Sequence, residues 1–199
     1  MQRLLVSVLC TIGAATASAA PAAKLPFDTI HAACSGFARA AVTGTPRAAA
    51  EAKISLASCE ARERTRAIAI VDQERSVREL AAAIAPCLEL LQDVHSRSGL
   101  VTQVAALYAD ANIRTGFAVR ALSTVSTLPA SASEDLAARH DLDVLTLRER
   151  VQHWFDRAHA DFVEIDRMVR RHPELAREPA IAAAVAHAAR QVVPVVAGR

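Results

Sequence analysis

The stretch CSGFARAAVTGTPRAAAEAKISLASC (residues 34–59) has a cysteine at each end and a helix stop and restart between them. Upstream of the stop, Ile30, Cys34, Phe37 and Ala41 recur at intervals of four, three and four, which predicts a helix over about 28–42 with those residues inward. Thr43 and Gly44 end it, Thr45 supplies a cap, and Pro46 stands at the first position of the next helix, where its missing N–H costs nothing. Two helices joined so tightly must turn back on each other. Cys34 and Cys59 are then nearly equidistant from the turn and can reach the Cα separation of roughly 5.5–6 Å that a disulfide needs.

Working outward, the second helix is predicted over 46–71, with Ala50, Ile54, Ala57, Ala61 and Ile68 on one face. Its phase slips between Val71 and Val77. The series Val77, Leu80, Ile84, Leu88 and Leu91 starts a new register, and Ser76 with Glu79 forms a capping box, so a separate helix is expected over 77–97. No Gly or Pro enforces that break, and one long stuttered helix over 46–97 is the alternative. Separate helices would also allow a Cys59–Cys87 bridge centred on Gln73. In one rod those cysteines lie about 42 Å apart and only Cys34–Cys59 survives. Cys34–Cys59 is preferred because Gly and Pro fix its hairpin. The leftover thiol is expected to be buried and inert rather than reactive.

Pro86 should kink the third helix, since it removes a donor and crowds the carbonyl four residues back. Ser96 to Gly99 form a turn. A fourth helix follows over about 100–125, with Val101, Val104, Tyr108, Ala111, Ala118, Leu122 and Val125 inward. A linker occupies about 127–133. The fifth helix spans 134–171, seamed by Leu147, Val151, Trp154, Ala158 and Ile165, and a last one restarts near Pro179 with Ile181, Val185, Ala188 and Val192. Composition agrees: 199 residues hold 45 alanines, 21 arginines and two lysines, with only 4% aromatic residues. Such a chain is too apolar for disorder and too poor in β-branched and turn residues for an all-β fold. The expectation is an all-α, up-and-down antiparallel helical bundle of about five to six helices, with residues 20–199 as one domain. Its core should be alanine-rich, burying little area per residue and leaving room for a staple or a partner.

The N-terminus points to export. Met1 to Arg3 carry a positive charge, Leu4 to Ala15 are nearly unbroken apolar sequence, and Ala17-Ser18-Ala19 fits a cleavage site, so residues 1–19 are expected to be a signal peptide. The apolar stretch is too short for a bilayer span. Its removal leaves 180 residues, three cysteines, and 22 basic residues against 21 acidic. A formal charge of +1 without a basic, aromatic-interleaved stripe gives no support for nucleic-acid binding. The mature chain has no uninterrupted apolar segment long enough to cross a membrane. Heavy Arg and Ala usage suggests a GC-rich bacterial genome, hence a periplasmic or secreted protein.

Chemistry is sparsely signposted. Glu149, His153 and Asp156 share a face of the fifth helix opposite its apolar seam, so they should point at solvent as ordinary charge pairs. His159 flanks the core beside Phe155 and Phe162, with Asp166 further along, and these two are the candidate ligand- or metal-binding residues. Arg167, Arg170, Arg171 and His172 cluster where cations complement a helix C-terminus. There is no Cys-x-x-Cys, Glu-x-x-His, His-Glu-x-x-His, Gly-x-Ser-x-Gly, P-loop or Gly-x-Gly-x-x-Gly, and no cofactor or metal is called for. The leading expectation is a non-enzymatic exported protein acting by protein–protein interaction in the cell envelope, with a partner protein or by self-association. The alternative is a periplasmic ligand- or metal-binding bundle that uses His159 and Asp166 or the inner faces of the fourth and fifth helices.

Overall fold

A computed structural model describes residues 25–68, 73–123, 129 and 131–192. The expected signal peptide, part of the expected 127–133 linker and part of the 71–77 phase slip lie outside the described residues. The protein is all-α, with α1 (Ser35–Thr43), α2 (Pro46–Arg66), α3 (Gln73–Arg97), α4 (Leu100–Leu122), α5 (Glu134–Arg171) and α6 (Ala182–Val192). Short 3-10 turns at Ala32–Cys34 and Pro173–Arg177 precede α1 and α6. There is no strand among the described residues.

Local chemistry sets the helix limits. Gly44 approaches α1 so closely that a Cβ there would stand 2.7 Å from the Ala40 carbonyl oxygen, which explains a glycine at the stop. Pro46 opens α2. Ser133 caps α5, its hydroxyl accepting from the Leu136 N–H at 3.4 Å, with Glu134 and Asp135 in the first turn. The predicted span of the fifth helix is the observed one.

Three expectations need correction. The first helix begins seven residues later than 28, at Ser35, and Phe37 is 43% exposed while Cys34, Ala38 and Ala41 face inward. A tight α1–α2 contact has room for alanine but not for a phenyl ring. α2 stops at Arg66, short of Val71. Ser76 is not a cap: α3 is already helical at Gln73, Ser76 is buried, and Glu79 pairs with Arg75 at 2.7 Å. The amphipathic period of α3 extends one turn further back than its strongest apolar residues. Ala67 and Ile68 nevertheless lie outside any helix, so α2 and α3 are separate. Pro86 sits inside a continuous α3.

Consecutive helices pack on one another, and α4 also touches α2 and α6. Lys53 on α2 meets Asp93 on α3 at 3.4 Å, while Phe117 and Tyr108 on α4 meet Trp154 and Phe162 on α5 with ring centroids 4.4 and 6.4 Å apart. On α4 and α5 rising numbers pair with falling ones, so these two are antiparallel. Lys53 near the start of α2 meets Asp93 near the end of α3, and the end of α4 comes back beside the end of α2, so α2 runs parallel to α4. Arg120 on α4 donates to the Ile68 carbonyl at 3.3 Å, in keeping with that register.

The core comes in two parts. One gathers Leu56, Leu80, Ile84, Leu91, Phe117, Leu147 and Val151. The other gathers Val104, Ala158, Phe162, Ile165, Leu175 and Ile181. α4 contributes to both. Alanines such as Ala57, Ala61, Ala106, Ala118 and Ala158 recur throughout, as the composition predicted.

The cysteine pairing is Cys34–Cys59, with a Cα separation of 5.8 Å. That excludes the Cys59–Cys87 alternative, even though α2 and α3 do form an antiparallel pair. Cys87 is free and fully buried, and burial pushes its thiol up to about 12, where it stays protonated at neutral pH.

Candidate functional site

Where the two cores meet, they leave a groove of about 660 Å³ between α2, α4 and the start of α6. The volume lies within the range of small-molecule sites. Its floor is α4, where Ala105, Ala109, Asn112 and Gly116 succeed one another at helical spacing. Small residues there keep the floor low. Ile54 and Ala61 from α2, Ile84 from α3, Phe117 from α4 and Ile181 from the start of the last segment make the walls. A Cβ added at Gly116 would meet nothing within 4 Å, so the space above it is open.

One edge is polar. Ser58, Arg62 and Thr65 stand at spacings of four and three on α2, one above another along the groove. The Ser58 hydroxyl donates to the Ile54 carbonyl at 3.0 Å and that of Thr65 to the Ala61 carbonyl at 2.7 Å. Both hydroxyls therefore offer the groove only lone pairs. Arg62 is the only charged side chain lining the groove among the described residues. Its ion-pair contact is with its sequence neighbour Glu63, at 3.4 Å, and 73% of its side chain is exposed. Tyr108 also lines the groove and bonds His187 Nδ1 at 3.0 Å, and Gln191 Nε2 donates to His187 Nε2 at 3.1 Å. This chain of contacts ties α6 to α4.

A second polar cluster lies between α3, α4 and α5 around a cavity of about 190 Å³. Asp110 and Arg114 pair along α4, and Arg114 Nε stands 3.9 Å from Asp161 Oδ2 on α5. Burial, and then the charge and hydrogen bond of Asp110, push Asp161 up to about 7, against the pull of Arg114 and Arg157. Asp161 thus holds its proton up to near neutrality. His95 Nδ1 and Asp161 Oδ2 have no hydrogen-bond partner here.

A third cluster is structural. Glu60, fully buried, accepts from the His31 backbone N–H at 2.7 Å and from Arg64 Nε at 2.9 Å, and lies 2.8 Å from His31 Nδ1. Arg64 also donates to the Thr29 carbonyl and lies over the Phe27 ring. Burial alone would raise the Glu60 carboxyl, but His31 and Arg64 outweigh it and hold the carboxyl below its ordinary value. The segment before α1 is pinned to α2 by these bonds and by the disulfide.

The residues singled out from sequence fall elsewhere. His159 is exposed rather than flanking the core, and Asp166 pairs with Arg170 at 2.7 Å. Seven residues apart on one helix, they are separated by about 10 Å along its axis and cannot share one ion. Among the described residues, no group of three or more His, Cys, Asp or Glu could hold a metal. Glu149, His153 and Asp156 are exposed, with His153 bonded to the Arg150 carbonyl and Asp156 to Gln152. In the basic cluster, Arg167 pairs with Glu164 and His172 with Glu174, so much of its charge is answered locally.

Sequence reading missed the groove. Its signals were present: the Ser58-Arg62-Thr65 edge and the Ala105-Ala109-Asn112-Gly116 floor both follow helical spacing. Neither shows that two such faces lie side by side. Comparison with family models, with curated proteins and with solved structures found no match to this chain.

Proposed function

We propose that this chain is an exported binding protein that takes an apolar guest in the groove between α2, α4 and α6. The observation that carries the reading is the groove itself, of ligand-site volume, hydrocarbon-lined and edged on one side by polar groups. Export is supported by the leader-like sequence at residues 1–19 and by the Cys34–Cys59 bridge, since disulfides persist in oxidising compartments. No described helix is long and apolar enough to cross a membrane. The ligand-binding reading thus moves from the α4–α5 face, and from His159 and Asp166, to the opposite flank of α4. The neutral dye Nile red tests it. Saturable fluorescence enhancement is expected, together with its loss in Gly116→Leu, whose Cβ position is open and whose side chain would reach into the groove. Absence of saturable binding, or binding unchanged by that substitution, would count against the reading.

A second reading, contact with another envelope protein or a second copy, is favoured by a different observation. Leu142 and Leu145 near the start of α5 are 63% and 54% exposed and share a face. Scattered exposed leucines are ordinary, but none of residues 134–146 is buried.

A further inference from the structure

We propose that the guest of this groove is a monoanionic amphiphile of the fatty-acid class, with its acyl chain along the α4 floor and its carboxylate at Arg62. The inference rests on the binding reading above and specifies the ligand's chemistry.

Charge selects the head group. Among the described lining residues there is one cation, Arg62, and no carboxylate, so the groove complements a single negative charge. The Arg62–Glu63 contact joins adjacent residues at 3.4 Å with the arginine largely in water, and such pairs contribute little. A carboxylate can therefore replace it, and the guanidinium fork matches a carboxylate in two parallel hydrogen bonds. Ser58 and Thr65 spend their protons on backbone carbonyls and cannot serve an anion. Arg62 is the one cationic donor on the α2 edge, and across the groove on α4 stand the amide of Asn112 and the hydroxyl of Tyr108, which is bonded to His187.

Register selects the shape. α2 and α4 run parallel, so Ile54 and Ala105 mark one end of the groove, near Ala180 to Ala184. Thr65 and Phe117 mark the other. From Ile54 to Thr65 is about 17 Å along the helix. The first end is walled by isoleucine and alanine, and Arg62 stands two turns further along. A molecule with a flexible apolar tail and one anionic end matches this polarity. A compact aromatic acid would leave most of the length unfilled.

Dodecanoate and dodecanol, titrated below their aggregation limits by calorimetry, separate the possibilities. Dodecanoate is expected to bind at one per chain, about tenfold or more tighter than the alcohol. Arg62→Gln should bring the acid down to the level of the alcohol and leave the alcohol unchanged. Gly116→Leu should abolish both, with an unchanged far-UV circular dichroism spectrum showing that the variant is folded. Equal binding of acid and alcohol, or acid binding insensitive to Arg62→Gln, would overturn the carboxylate assignment while leaving an apolar guest in place. Failure of both ligands and of Nile red would overturn the binding reading itself.

Discussion

Two carboxyl groups in this protein respond to pH in opposite directions. Glu60 is held below its ordinary value of 4.5, so its contribution to stability is complete above that value and drains away as pH falls through the folded-state value. Glu60→Gln should cost about 2–3 kcal/mol at pH 7, because it removes charge-assisted bonds to His31 and Arg64 in a site closed to water. Denaturant titration should show that cost shrinking towards pH 3. Asp161 is the reverse case, raised from 3.8 to about 7. Between roughly pH 4 and 7 the folded chain keeps a proton that the unfolded chain releases, so stability falls as pH rises across that window. Asp161→Asn imitates the protonated form. It should raise stability at pH 7.5 by about 1 kcal/mol, roughly 3 °C in Tm, and give no gain at pH 4. Neither carboxylate stood out in the sequence. Both are acids at i,i+4 from an arginine, a pattern shared by the exposed Glu74–Arg78 and Glu51–Arg47 pairs. Which pair is buried depends on the neighbouring helices.

The elements were more legible. The α1–α2 hairpin follows from Gly44 and Pro46, and the disulfide follows from the hairpin. The bridge closes a loop of 25 residues, and its loss in a Cys34→Ala, Cys59→Ala double variant should cost about 3 kcal/mol, read as a lower urea midpoint. α5 was found to the residue because Ser133, two acidic residues and the seam from Leu147 all agree. Its packing could not be read so directly. Phe117 pairs with Trp154 and Tyr108 with Phe162, so the end of α4 at Leu122 falls opposite about residue 148. The first turns of α5 therefore have no counterpart on α4. If they serve protein contact, Leu142→Glu with Leu145→Glu should abolish self-association in sedimentation velocity, or capture of the partner by cross-linking in cells. The fold should be untouched, because both side chains are already in water.

At the scale of the whole molecule, the alanine-rich composition has a consequence beyond helicity. Small residues let α4 pack against both α2 and α6, yet they do not fill the angle between those two helices. The core divides into two clusters on either side of α4, and the groove is the seam. Substituting Gly116 tests this directly. Because its Cβ position is open and its backbone lies in a helix, Gly116→Ala should stabilise the fold by about 1 kcal/mol, while the bulkier leucine blocks the guest.

The sequence by itself determined the α1–α2 hairpin and the approximate place of the helices, and it favoured Cys34–Cys59 without excluding Cys59–Cys87, because its signals are local ones. Gly44, Pro46, the period of the apolar seam and the distance of each cysteine from the bend are local facts. Tertiary structure alone decided the chemistry. Only packing buries Glu60 against His31, which precedes it by 29 residues, or brings Asp110 to Asp161. Only packing lays the Ser58–Arg62–Thr65 edge beside the Ala105–Gly116 floor. A side chain's type sets what it can bond. Whether water is removed from it, and what replaces that water, is set by elements far away in the chain.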